Sequence, residues 1–320
     1  MRELLRIQAL TVELPTAQGW VRPVNEVSLR IAVGECLGLV GESGSGKTML
    51  SLALMGLLPT GARLKGQAIL DATARRELTE LKEEEWRSVR GREIAMIFQE
   101  PMTSLNPVMR VGRQIDEAIR AHQPELKQDA VRKRTMTALR QAAMGEPERR
   151  AEQYPHQLSG GLRQRAMIAM SLAARPKLLI ADEPTTALDV TVQKEILQLL
   201  QRLRGELGLG LLFITHDLGV VAQVADRVAV LYAGRVVEEG PTSEVLGAPR
   251  HPYTQGLLAA SPRLERGKLT PIPGSVPQLT ALPSGCAFSP RCSLRRSDCS
   301  VAVPDLRLAS AEHSARCVLV

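Results

Sequence analysis

The chain has 320 residues, 44% of them apolar and 23% charged; at roughly 150 residues per domain it can bury a sizeable core and form about two domains. That composition excludes disordered, collagen-like and coiled-coil architectures. Forty-one Lys and Arg against 34 Asp and Glu leave a formal charge of +7, which points to anionic partners such as nucleotides, nucleic acid or an inner membrane surface. With only 2 Trp, 3 Tyr and 3 Phe, the chain lacks the stacking platforms that hold single-stranded nucleic acid.

The first residues, MRELLRIQALTVELP, mix Glu3, Arg6 and Glu13 into an apolar background. They lack the continuous apolar block of a signal peptide, so a cytosolic chain is expected. From Leu4 to about Ile31 short β-branched stretches with turn residues at Gly19 and Asn25 predict strands of an N-terminal sheet. Glu35 to Val40 reads as a buried strand running into a glycine loop, and Thr48 onward as a helix that Pro59 ends. Residues 77–93 are helical in character, and Ile94–Phe98 is another buried strand.

Residues 100–157 are polar, rich in Arg and Gln and punctuated by Pro107, Pro124 and Pro147, the pattern of an inserted helical subdomain. From Leu158 strands and helices alternate: a helix to about Ala174, a strand at Leu178–Ala181, a helix at Val190–Glu206 and a strand at Leu211–Thr215. Such alternation implies a parallel sheet covered on both faces. After about Gly247 the composition turns to Pro, Ser, Arg and Cys, which predicts a separate tail. The uncharged run Leu269–Pro290 is long enough to span a membrane, but five prolines would leave backbone groups unpaired in lipid. Five cysteines in a reducing compartment read as thiols or metal ligands, not a disulfide framework.

Gly41-Glu42-Ser43-Gly44-Ser45-Gly46-Lys47-Thr48 matches G-x-x-x-x-G-K-[ST] between a strand and a helix. Gly41, Ser43, Gly44 and Gly46 let backbone N–H groups converge on phosphate oxygens, Lys47 neutralises the β- and γ-phosphates, and Thr48 can bind Mg²⁺. The strand Leu178–Ala181 delivers Asp182 and Glu183 at its C-terminal end, where open α/β sheets place ligands. Asp182 suits a Mg²⁺ shell and Glu183 can orient or deprotonate a water; taken alone, the pair also fits a charge cluster before a helix at Pro184.

Leu158-Ser159-Gly160-Gly161-Leu162-Arg163-Gln164-Arg165 resembles the signature motif of ABC-transporter ATPases. Physically, Ser159 with the Gly160 and Gly161 amides forms a second anion-binding helix start. The resemblance implies roles for further positions. Gln99 corresponds to the glutamine that senses Mg²⁺ and attacking water, Asp189 of Ala187-Leu188-Asp189 to the D-loop aspartate, and His216 to the switch histidine at the γ-phosphate. Trp20 is a candidate for stacking on adenine, with simple packing as the alternative. In this family two ATPase domains pack head to tail, so ATP held by Lys47 of one is covered by Ser159 of the other.

The implied architecture is α/β: a P-loop ABC-type domain over residues 1–247, with a RecA-like parallel core, an N-terminal antiparallel β-subdomain and a helical subdomain inserted at about 100–175. A Cys-containing extension covers 248–320. Gln99-Glu100-Pro101-Met102-Thr103-Ser104-Leu105-Asn106-Pro107, His251-Pro252-Tyr253-Thr254-Gln255-Gly256-Leu257-Leu258 and Pro271-Ile272-Pro273-Gly274 resemble the ATPase subunits of oligopeptide, dipeptide and nickel importers. Partners implied are a second, related ATPase subunit, two membrane permeases and, through them, an extracytoplasmic solute-binding protein, with the chain on the cytoplasmic face of the membrane.

Members with this tail carry four cysteines, here Cys286, Cys292, Cys299 and Cys317, and some bind a [4Fe–4S] cluster. Gaps of five, six and seventeen residues are unlike the tight C-x₂-C pairs of zinc ribbons and favour the cluster, with zinc or free thiols as alternatives. Cys317 is followed only by Val318-Leu319-Val320 and is the weakest of the four; His313 is a spare ligand expected at solvent, and Cys36 a small buried hydrophobe. The competing class is a soluble, DNA-associated ABC-type ATPase. Basic runs at Arg132-Lys133-Arg134, Arg149-Arg150 and Arg295-Arg296 suit it, but the short interval between Gln99 and Ser159 holds no long coiled coil. A translation-associated ABC protein, with two cassettes per chain, is disfavoured by one P-loop and one signature.

Overall fold

The computed structural model describes residues 2–99, 104–186, 188–261 and 269–320. Glu100–Thr103 of the importer-like segment and Ala187 lie outside the described residues.

Two long strands, β1 (Glu3–Thr16) and β2 (Gly19–Ala32), form an antiparallel pair. With β4 (Arg63–Asp71) and β5 (Arg75–Glu77) they make a four-stranded sheet in the order β2-β1-β4-β5. Gly19 closes the hairpin as expected, whereas Asn25 is no turn: it lies inside β2, its N–H donating to Gly234 O at 2.8 Å. The chain absorbs the turn-prone residues there as register shifts in a continuous strand.

The second sheet runs β11-β12-β10-β9-β3-β8-β7-β6. Its central strands, β3 (Cys36–Val40), β6 (Ile94–Ile97), β7 (Leu178–Asp182), β8 (Gly210–Thr215) and β9 (Arg227–Tyr232), are mutually parallel. β10 (Arg235–Pro241) returns antiparallel. Alternation explains how apolar runs fill two cores at once. Leu179, Ala181, Leu211 and Phe213 join one cluster, while Leu178, Ile180, Leu212 and Ile214 join the cluster on the opposite face. A strand buried on both sides must be apolar throughout, which is the pattern the sequence carries.

Helix α1 (Lys47–Leu54) follows the P-loop and stops short of Pro59. The helical reading of 77–93 resolves into a 3₁₀ turn at Leu78–Glu80 and α2 (Glu83–Val89). The inserted region contains α3 (Val111–His122), α4 (Gln128–Gln141), α5 (Pro147–Ala151) and α6 (Gly160–Leu172). The core then continues with α7 (Val190–Leu207), α8 (Leu218–Val224) and α9 (Thr242–Gly247).

The extension is tied to this core. It opens with α10 (Pro252–Ala259), and its short strands β11 (Arg307–Leu308) and β12 (Ser314–Ala315) lengthen the main sheet. There Ala315 pairs with Glu238 of β10. Among the described residues no helix is long and apolar enough to cross a membrane.

Candidate functional site

The P-loop joins β3 to α1 with Gly46 as N-cap at φ +108°. A Cβ at Gly46 would fall 1.9 Å from Pro23 O, so both conformation and space demand glycine. Lys47 is buried at the first helical position, where its Nζ donates to Gly41 O at 2.7 Å and Glu42 O at 3.0 Å. Burial lowers its pKa against the pull of Glu183, Asp182 and Glu42. Ser43, Gly44 and Thr48 are exposed along the loop and the start of the helix, so the amide-lined concavity is open to an anion.

Asp182 ends β7 at 1% exposure, and its Oδ1 has no hydrogen-bond partner in the described structure. Burial raises its pKa, opposed first by a hydrogen bond from Thr48. A buried carboxylate with a spare oxygen beside a threonine hydroxyl is suited to a hard divalent cation, which would supply the missing charge compensation.

Glu183 sits one residue on, at φ +46°, a left-handed conformation unusual for glutamate. That turn lets its N–H donate to Ile214 O at 2.9 Å while the carboxylate meets Thr186 Oγ1 at 2.8 Å and His216 Nδ1 at 3.2 Å. The His216 contact holds Glu183 below the usual glutamate range, and Glu183 reciprocally raises His216. Adjacent strand ends therefore present the P-loop, the Asp182 and Glu183 carboxylates and the His216 imidazole on one edge of the sheet. Gln99, just beyond β6 on the same sheet, is exposed.

The signature segment builds a second helix start. Ser159 caps α6 by accepting from Leu162 N at 3.4 Å, and both Ser159 and Gly160 are exposed. A Cβ at Gly161 would approach Val192 Cγ1 to 2.7 Å, so glycine lets α6 lie directly on α7. Asp189 caps α7 by accepting from Val192 N at 2.9 Å, also at the surface. One chain thus has two amide-rich helix starts, the first reached through exposed Ser43, Gly44 and Thr48 and the second exposed at Ser159 and Gly160.

Trp20 is 45% exposed at the β1–β2 hairpin, and the Arg63 guanidinium lies 3.8 Å from its ring centroid. One ring face is thereby taken by a cation–π contact. Cys36 is fully buried, which pushes its thiol up to about 12. Cys286, Cys292, Cys299 and Cys317 are all free and line one small cavity together with His251. Burial raises the thiols of Cys286, Cys292 and Cys317. Among the described residues, however, no three His, Cys, Asp or Glu side chains are set at the spacing that holds an ion.

His313 departs from expectation. It is 2% exposed, and its Nε2 lies 2.7 Å from Glu238 Oε1, because the β12 pairing carries it under the sheet edge. In the basic runs of the helical subdomain, Arg132 pairs with Glu152, and Arg149 and Arg150 with Glu146. Sequence reading also missed a contact at the P-loop itself, where Arg291 of the extension pairs with Glu42. Glu42 stands inside the P-loop motif and Arg291 directly before Cys292, yet no local pattern links positions so far apart.

A P-loop, an adjacent carboxylate pair and a second exposed helix start on a parallel sheet define an ATP-binding-cassette ATPase. Residues 24–186 match the model of the ABC transporter family, and residues 237–299 match the oligopeptide/dipeptide transporter C-terminal region. The oligopeptide transport ATP-binding protein OppD of Bacillus subtilis is 50% identical, over 91% of this chain and 81% of its own length. Its namesake in Salmonella typhimurium is 48% identical over 94% of this chain and 89% of its length. A dimeric ATP-binding cassette in a post-hydrolysis state, bound to ADP and Pi, superposes with a TM-score of 0.66 at 29% identity, covering 75% of this chain and 99% of that one. The chain belongs to the ABC transporter ATPases, within the oligopeptide/dipeptide transporter group, and is an ATP-binding, ATP-hydrolysing subunit.

Proposed function

We propose that this subunit energises import of peptides or a related small solute through a membrane permease, working from the cytoplasmic face. The observation that carries the reading is the pairing of an intact hydrolytic edge with the oligopeptide/dipeptide transporter extension in one chain. Its partners on this reading are two permeases, the solute-binding protein they receive from, and a second, related ATPase subunit that completes each site.

Lys47 and the amides of Gly41, Ser43, Gly44 and Gly46 hold the triphosphate, and Thr48, Asp182 and Gln99 are the residues that would hold Mg²⁺. Bound Mg²⁺ would neutralise charge on the β- and γ-phosphates. Glu183 orients the attacking water and accepts its proton, while His216 fixes the Glu183 carboxylate and reaches toward the γ-phosphate. Ser159, Gly160 and Gly161 cover the partner's nucleotide, with Asp189 beside them. Since positioning and charge stabilisation supply most of the catalysis of phosphoryl transfer, dividing the donors between two subunits ties hydrolysis to closure. Trp20 offers adenine the ring face opposite Arg63.

Cys286, Cys292, Cys299 and Cys317 are the residues that would hold a [4Fe–4S] cluster or zinc. Their convergence on one cavity supports this, although the thiols would have to draw together.

Detergent extraction followed by co-purification tests the transport reading. Stable association with integral-membrane proteins is expected. Hydrolysis stimulated by DNA in a salt-sensitive manner, with no such association, would move the chain to the DNA-associated class.

A further inference from the structure

We propose that Arg291 and Tyr253 of the C-terminal extension are positioning residues for the P-loop, so that the extension sets the affinity of the subunit for ATP. Glu42, the second residue of the loop, is gripped at three points. Its carboxylate takes a two-pronged ion pair from Arg291, Nη1 to Oε2 at 2.6 Å and Nη2 to Oε1 at 3.0 Å. Its N–H donates to Tyr253 Oη at 2.9 Å. Its carbonyl accepts from Lys47 Nζ at 3.0 Å, which links the grip to the phosphate-binding lysine through one residue.

The gripping side chains are themselves fixed. The Arg291 side chain is 4% exposed, and its Nε donates to Pro273 O at 2.9 Å. Tyr253 is fully buried, its ring 4.5 Å from Tyr232 and 5.3 Å from Phe288. A two-pronged guanidinium–carboxylate pair whose arginine is buried is directional as well as charge-assisted. An ordinary docking contact needs neither a buried arginine nor a tyrosine aimed at a P-loop amide. The arrangement fixes the first turn of the loop before the nucleotide arrives, which reduces the ordering that binding must impose.

Equilibrium binding of a fluorescent ATP analogue to the full-length subunit, with Mg²⁺, tests this. R291A is expected to raise Kd about tenfold, within the range of typical coupling between sites, and R291K to recover part of the loss. E42A should match R291A, and the double variant should be no worse than either, because both remove one interaction. R316A is the control. Arg316 ties the same extension to Val236 O and Pro304 O, both at 2.9 Å and away from the P-loop; its loss should lower Tm while leaving Kd unchanged.

Coupling is reciprocal, so ATP should slow hydrogen exchange of amides in residues 286–300 of the wild type and not of R291A. An R291A Kd equal to wild type, an equal rise in R316A, additive effects of R291A and E42A, or exchange indifferent to ATP would each overturn the proposal. If R291A fails to fold, Y253F, which removes the hydroxyl that meets Glu42, reads the same coupling.

Discussion

Glu183 Oε2 lies 3.2 Å from His216 Nδ1, so the ends of neighbouring strands β7 and β8 carry a carboxylate and an imidazole that set each other's protonation. On the proposed assignment this pair separates hydrolysis from binding. Glu183→Gln keeps the shape of the site but removes the proton acceptor. ATP affinity should persist, while turnover falls by about 10²–10⁴-fold, the usual contribution of a positioned general base. Single-turnover hydrolysis beside equilibrium binding checks it.

The same contact predicts a pH signature. His216 is raised above, and Glu183 held below, their ordinary values, the mutual hydrogen bond being the first cause in both. The histidine's contribution to stability is fully present below the ordinary histidine pKa and is lost as pH rises through its raised value. The glutamate's contribution is present above the ordinary glutamate pKa and is lost as pH falls through its lowered value. The pair is therefore intact between those limits. NMR titration of His216 should give a midpoint above the ordinary histidine value, and Glu183→Gln should bring it down. His216→Ala should shift the acid limb of hydrolysis toward higher pH as Glu183 returns to the ordinary range.

Glu238 predicts a stability effect away from the nucleotide. It is fully buried, accepts from Arg250 N at 2.6 Å and His251 N at 2.9 Å, and meets His313 Nε2 at 2.7 Å. Glu238→Ala strands two backbone donors and a buried imidazole together, at a cost of about 3–5 kcal/mol. Denaturant unfolding should show this loss, with Glu238→Gln costing less because an amide oxygen can still accept.

The cysteine cavity predicts a spectroscopic result. On the proposed cluster assignment, protein purified without oxygen should carry iron and acid-labile sulfide and absorb in the Fe–S charge-transfer region, and Cys299→Ser should diminish both together. A colourless preparation loaded with zinc would assign the other metal, and one with neither would leave four free thiols.

The hydrolytic motifs were legible in the sequence because each is local. Gly46 caps the helix that begins at Lys47, Ser159 caps the helix that begins at Gly160, and Asp182 and Glu183 follow directly on an apolar strand. A short stretch of chain fixes backbone conformation and side-chain direction at such points, so residue type and spacing suffice. Sequence alone also established that strands buried on both faces would be apolar along their length.

What the tertiary structure decided lies at long range. Arg291 meets Glu42 across 249 positions, His313 is drawn under the sheet edge by strand pairing, and Asn25 is straightened into a strand by its bond to Gly234. Each outcome depends on which surfaces meet when the extension and the N-terminal sheet close on the core. That is set by summed burial and polar satisfaction over the whole chain, and no local pattern records it.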